Sequence, residues 1–128
     1  LLLTPVTDGS RQHQSHHDNA AGFILTKPLM EWFWNHYADP ADRSKPTASP
    51  LLAQTLAGLP SAMVVTAQFD PLRDEGNEYA RALKAAGVPV IHVQARGHIH
   101  TSVGMVDILP SGAKIRAKMA SGLRGFFV

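Results

Sequence analysis

The chain has 128 residues, 45% of them hydrophobic and 17% charged, enough for one domain with a real core. Its net charge is +2 and its Lys and Arg residues are scattered, which argues against nucleic acid or a membrane surface as partner, and no apolar stretch approaches the roughly 20 residues of a membrane helix. There is no cysteine, so disulfides, a thiol nucleophile and thiolate metal ligands are excluded; this composition is compatible with a reducing cytoplasm, the expected location.

The chain opens on Leu1-Leu2-Leu3-Thr4-Pro5-Val6, with no initiator Met, no basic n-region and no small-residue cleavage site. Residues 1–6 read as a buried strand entered midway and ended near Pro5, so the chain is expected to be the carboxyl-terminal part of something longer. Residues 7–22 are polar and hold His13, His16 and His17. A solvated surface loop is expected there, in preference to a metal site at His16-His17-Asp18, because adjacent histidines in a loop lack fixed geometry. Thr26 has the chemistry of an N-cap and Pro28 sits in the first turn, so a helix is predicted from there to about Tyr37. Met30, Phe33, Trp34 and Tyr37 fall on one apolar face, flanked by Leu29 and Trp32. That face either packs on the core or forms part of a lid over an apolar pocket, and the two readings stay level.

Residues 38–50 form a Pro-rich linker, with a short helical turn predicted near Pro50. Ala62 to Phe69 is continuously apolar at first, the pattern of a parallel strand covered on both faces. Asp70-Pro71 ends it. The helix that follows puts Leu72, Gly76, Tyr79, Ala80 and Leu83 on one face, with Asp74 as the expected cap and Gly87 beyond its end. Residues 88–94 are the next strand, 101–110 a loop, and a last helix begins near Ser111, with Ile115, Met119, Gly122, Leu123 and Phe126 inward.

Strand, helix, strand with a right-handed crossover makes the two strands parallel, so Asp70 and the Gly97-His98-Ile99-His100 segment share the carboxyl edge of the sheet. Open α/β sheets carry ligand sites on that edge. An acid beside a histidine is two-thirds of a nucleophilic hydrolase triad. Asp70 could equally cap a turn beginning at Pro71. His98 and His100 compete for the base; two residues apart in an extended segment, they face opposite ways. His98, His100 and Asp70 as metal ligands is a weak reading, without a helical His-x-x-x-His pair or an acidic cluster. No Gly-x-Ser-x-Gly elbow and no His-Gly-Gly loop occurs, so nucleophile and oxyanion hole are lacking.

Phe69-Asp70-Pro71-Leu72-Arg73-Asp74-Glu75-Gly76, followed by Tyr79-Ala80 and Ala85-Ala86-Gly87-Val88, resembles the hormone-sensitive-lipase family of α/β-hydrolases. So do Ala48-Ser49-Pro50-Leu51-Leu52-Ala53, Gly58-Leu59-Pro60, Pro5-Val6-Thr7-Asp8 and Met30-Glu31-Trp32-Phe33-Trp34. The resemblance covers nearly the whole chain. It implies an α/β fold comprising a core strand at 1–6, a cap or lid segment at 7–47 and the carboxyl-terminal part of the hydrolase core at 48–128. It implies a cofactor-free carboxylesterase or lipase acting on short or medium acyl esters. Asp70 maps to the triad acid and His100, ending Gly-x-x-His, to the base, with His98 the variable position. Phe33, Trp34 and Ile99 are the expected substrate contacts.

Two departures stand out. The family continues His-Gly-Phe where this chain has His100-Thr101-Ser102, and Thr101 lacks glycine's backbone freedom. The family's serine and oxyanion glycines would lie upstream of Leu1. The partners implied are therefore a small-molecule ester and the missing amino-terminal part of the fold, with oligomerisation open; the chain alone is expected to be inactive. The alternative is a non-catalytic α/β module that binds a small apolar ligand or a partner chain.

Overall fold

The computed structural model describes residues 1–106 and 108–127; Asp107, inside the expected 101–110 loop, lies outside them. Three strands, β1 (Leu2–Leu3), β2 (Ala62–Phe69) and β3 (Val90–Ile99), form a parallel sheet in the order β1-β2-β3. The helices are α1 (Ser15–Asp18), α2 (Lys27–Tyr37), α3 (Arg73–Ala85) and α4 (Ala113–Arg124), with 3₁₀ turns at Pro40–Asp42, Pro50–Leu52, Ser102–Gly104 and Pro110–Gly112. This is the expected α/β architecture of parallel strands with flanking helices.

The apolar run in β2 is explained by cover on both faces. Val64 packs with Tyr79, Ala80 and Leu83 of α3, while Met63 points the other way, toward Gly122 of α4. Alternate residues of a strand point to opposite faces, so both sets must be apolar. Leu83 is 2% exposed, and burial of such a side chain contributes about 1.5–3 kcal/mol. At Gly76 the helix approaches β2 so closely that a Cβ would lie 2.8 Å from Thr66 Cγ2. Thr26 caps α2, its hydroxyl accepting from Leu29 N–H, and α2 buries Met30 and Trp34 with Leu25 and Leu72 in a second core cluster.

Several expectations are corrected. The first strand covers only Leu2–Leu3 rather than 1–6. Thr4 takes a left-handed φ of 44°, donates one last hydrogen bond to Val65 O at 2.7 Å, and is followed by Pro5, which has no donor. Residues 7–22 are not a solvated loop. Thr7, Asp8, Ser15, His16 and Asn19 are all buried, because the segment lies across the start of α3 and satisfies its polar groups there. Asp74 does not cap α3; the cap position is Leu72, whose N–H is bound by Asp70 Oδ1 at 2.9 Å. β3 extends beyond residue 94 to Ile99. The inward face of α4 is only half-buried at Ile115, Met119 and Leu123. On α2, Phe33 and Tyr37 are exposed, so the buried stripe narrows to Met30 and Trp34.

Candidate active site

Asp70 follows the last residue of β2 and is fully buried. A carboxylate without water needs donors, and it has two. Its Oδ1 accepts from Leu72 N–H at 2.9 Å, and its Oδ2 lies 2.9 Å from Nδ1 of His100. The cap reading and the histidine-partner reading therefore both hold, one for each oxygen. The backbone around the turn is held as well. Asn19 Nδ2 donates to Asp70 O at 3.3 Å and Ser15 Oγ donates to Pro71 O at 2.5 Å.

His100 reaches Asp70 because β3 is irregular. Ala67 pairs with Ala95 and Phe69 with Ile99, so two residues of β2 span the same rise as four of β3. The two extra residues are accommodated at Gly97, whose φ of +75° suits glycine, and Gly97 N–H donates to Gln68 Oε1 at 2.8 Å. Past this bulge the two histidines diverge. His100 turns to Asp70 with its side chain 19% exposed. His98 turns inward, 3% exposed, with Nδ1 2.9 Å from Ser102 Oγ. Thr101 does enter the left-handed region, at φ 57° and ψ −7°. For a β-branched residue this conformation costs about 1–2 kcal/mol.

A cavity of about 420 Å³ lies beside the pair, with Val6, Leu25, Met30, Phe33, Trp34 and Leu72 in its wall and His100 among its lining. Phe33 and Trp34 line it, one exposed at 47% and one buried at 2%. Ile99 is not among its lining residues; it ends β3 opposite Phe69. With Nδ1 bound to Asp70, the free ring nitrogen of His100 is Nε2. The arrangement can hold an imidazole in one tautomer, stabilise its cation, and accommodate an apolar group next to it.

Glu75 is the residue that sequence reasoning missed. It is fully buried, and its Oε1 accepts from Thr7 N–H at 2.6 Å and Asp8 N–H at 3.1 Å, while Oε2 lies 2.8 Å from His16 Nε2. The available signal was its position one residue before Gly76, on the face of α3 that turns inward. Nearby, burial pushes the Asp74 carboxyl up, but the Arg73 guanidinium and the Ser15 N–H together hold it below the ordinary 3.8. Burial likewise raises Asp8, and its bonds from Ser10 and His13 outweigh that and lower it. Among the described residues no group of three or more His, Cys, Asp or Glu side chains is arranged to hold a metal ion. Among the described residues no helix is long and apolar enough to cross a membrane.

The family model for the alpha/beta hydrolase fold matches residues 1–103. Carboxylic ester hydrolase LipN of Mycobacterium tuberculosis is 49% identical over 94 residues, covering 70% of this chain and 24% of that protein. Carboxylesterase NlhH of the same organism is 32% identical over 128 residues, covering 97% and 40%. Among solved structures, ester-hydrolase EH1AB1 from the metagenome of Lake Arreo superposes with a TM-score of 0.90 at 38% identity, covering 97% of this chain and 40% of that one. The thermostable esterase of Pseudomonas putida gives 0.83 at 45% identity, covering 90% and 38%. The chain thus spans less than half the length of each of these relatives. On the family match, the identities and the shared fold together, this chain belongs to the esterase family of α/β-hydrolases.

Proposed function

We propose that the chain supplies the acid and base of a carboxylic ester hydrolase, with the nucleophilic serine and oxyanion donors contributed from outside these residues. The observation that carries the reading is the 2.9 Å contact between His100 Nδ1 and the buried Asp70 carboxylate, beside an apolar cavity. In this reading His100 Nε2 takes the serine proton as the hydroxyl attacks the ester carbonyl, then returns it to the leaving alcohol. The same nitrogen takes a proton from water in deacylation. Asp70 holds the imidazole in the required tautomer and stabilises its cation; it does not itself accept the proton. The volume, about 420 Å³, suits a short or medium acyl chain, with Phe33 and Trp34 against it. The segment 7–47 acts as cap, and the exposed side of β1 receives the rest of the sheet.

The test is hydrolysis of p-nitrophenyl butyrate by the chain alone and by the chain joined to the upstream portion of a relative. The chain alone is expected to be inactive. In the joined protein, Asp70→Asn and His100→Ala are each expected to lower kcat by about 10⁴-fold with the fold intact. Full activity in His100→Ala would instead support the binding-module reading. Asp70-dependent turnover by the isolated chain would refute the division of labour proposed here.

A further inference from the structure

The left-handed turn after His100 is held by a buried side-chain staple. Ser102 is 1% exposed and His98 3%. Ser102 Oγ donates to Ile99 O at 3.0 Å, accepts from Ile99 N–H at 3.2 Å, and stands 2.9 Å from His98 Nδ1. A hydroxyl has one proton to give. With that proton on Ile99 O, the Ser102 oxygen accepts from His98, so Nδ1 of His98 carries hydrogen. One oxygen therefore closes the segment 99–102 from both sides of the Ile99 residue, and His98 occupies its remaining acceptor position.

His100 lies inside that closed segment. Its direction depends on the peptide that joins it to Thr101, and Thr101 stays at φ 57° although its side chain disfavours that region. The residue that disfavours this backbone and the hydroxyl that fastens it are adjacent in the chain. We infer that Ser102, with His98 as its partner, is a positioning residue that keeps His100 aimed at Asp70 against the relaxation of Thr101. This inference rests on the proposed acid–base role of the pair, and neither His98 nor Ser102 lines the cavity beside it. If the staple is cut, Thr101 swings toward ordinary φ, the His100–Thr101 peptide rotates, and the imidazole leaves the carboxylate.

Proton NMR of this chain reads the effect without any turnover. An imidazole N–H bound to a buried carboxylate gives a low-field resonance, and Asp70→Asn identifies it by removing it. Ser102→Ala is expected to lose that resonance, and Thr101→Gly with Ser102→Ala to regain it, because glycine holds the turn without help. Should Ser102→Ala fail to fold, the His98 pair decides: His98→Asn, which keeps a donor near Nδ1, retains the resonance, and His98→Leu loses it. An unchanged resonance in Ser102→Ala, or equal behaviour of the two His98 variants, overturns the role of the staple while leaving the Asp70–His100 pair standing. Absence of the resonance from the unaltered chain overturns both.

Discussion

Replacing Glu75 by alanine tests whether residues 7–19 are part of the fold or an appendage to it. The carboxylate is fully buried and holds three partners: Thr7 N–H, Asp8 N–H and His16 Nε2. Hydrogen bonds to a charged group are worth about 1.5–3 kcal/mol each, and a buried donor left unpaired costs about 1–3 kcal/mol. Simple addition overshoots, because a carboxylate-sized hole admits water and the 7–19 segment can lift off. The expected loss is about 3–5 kcal/mol, less than the full sum for three buried groups left without their partner at about 1–3 kcal/mol each. Against a total of about 5–15 kcal/mol for an ordinary domain, that is a large share. Glu75→Gln keeps an oxygen for the Thr7 and Asp8 amides and should lose about 1–2 kcal/mol. Urea titration followed by the fluorescence of buried Trp34 measures both, and hydrogen exchange should show the Thr7 and Asp8 amides losing protection first. A Glu75→Ala chain within 1 kcal/mol of the original, with those amides still protected, would refute the reasoning.

Gly76→Ala should destabilise by about 1–3 kcal/mol, since its Cβ would meet Thr66 Cγ2 at 2.8 Å and α3 must move off the sheet; thermal unfolding checks it. Stability should also fall on acidification, in two steps. His92 is held below its ordinary 6.5 by burial and by the charges of Lys84 and Arg81, so the unfolded chain binds its proton first and stability is lost as pH falls below about 6.5. Asp8 and Asp74 are held below 3.8, so their contribution is complete above that value and is lost as pH falls from there through their lower folded values. Urea midpoints at pH 8, 6, 4 and 3 should show both steps, and Asp74→Asn should flatten the second.

The local signals that were legible were those in which one residue type has one use. Thr26 with Pro28 marks a helix start because few residues can serve those orphan amides. The apolar run of β2 marks a strand covered twice, and α3 shows its inward face by spacing alone, except at Glu75. The histidines show the limit. His16 and His17 are neighbours of the same chemistry, and only the packing of residues 7–19 on α3 buries one and exposes the other. Burial of a polar side chain depends on whether a partner waits across the fold. Here the partner, Glu75, is 59 residues away. Ile99 lies outside the lining of the cavity for a related reason, because the bulge at Gly97 changes which way each residue after it points.

Asp70 marks the boundary between the two kinds of information. Strand, acid, helix, strand, histidine is written in the order of residues, and parallel pairing with a right-handed crossover puts both ends on one edge of the sheet. The sequence by itself thus determined that Asp70 and His100 share that edge, together with the strand and helix cores that support them. Tertiary structure alone decided that the carboxylate divides its oxygens between Leu72 and His100, that His98 turns away to Ser102, and that the segment from Thr7 to His16 is pinned by Glu75. Periodicity is a property of neighbours along the chain. A hydrogen bond across 30 residues depends on angles set by a bulge, a left-handed threonine and a buried hydroxyl, and those are fixed only when the elements pack.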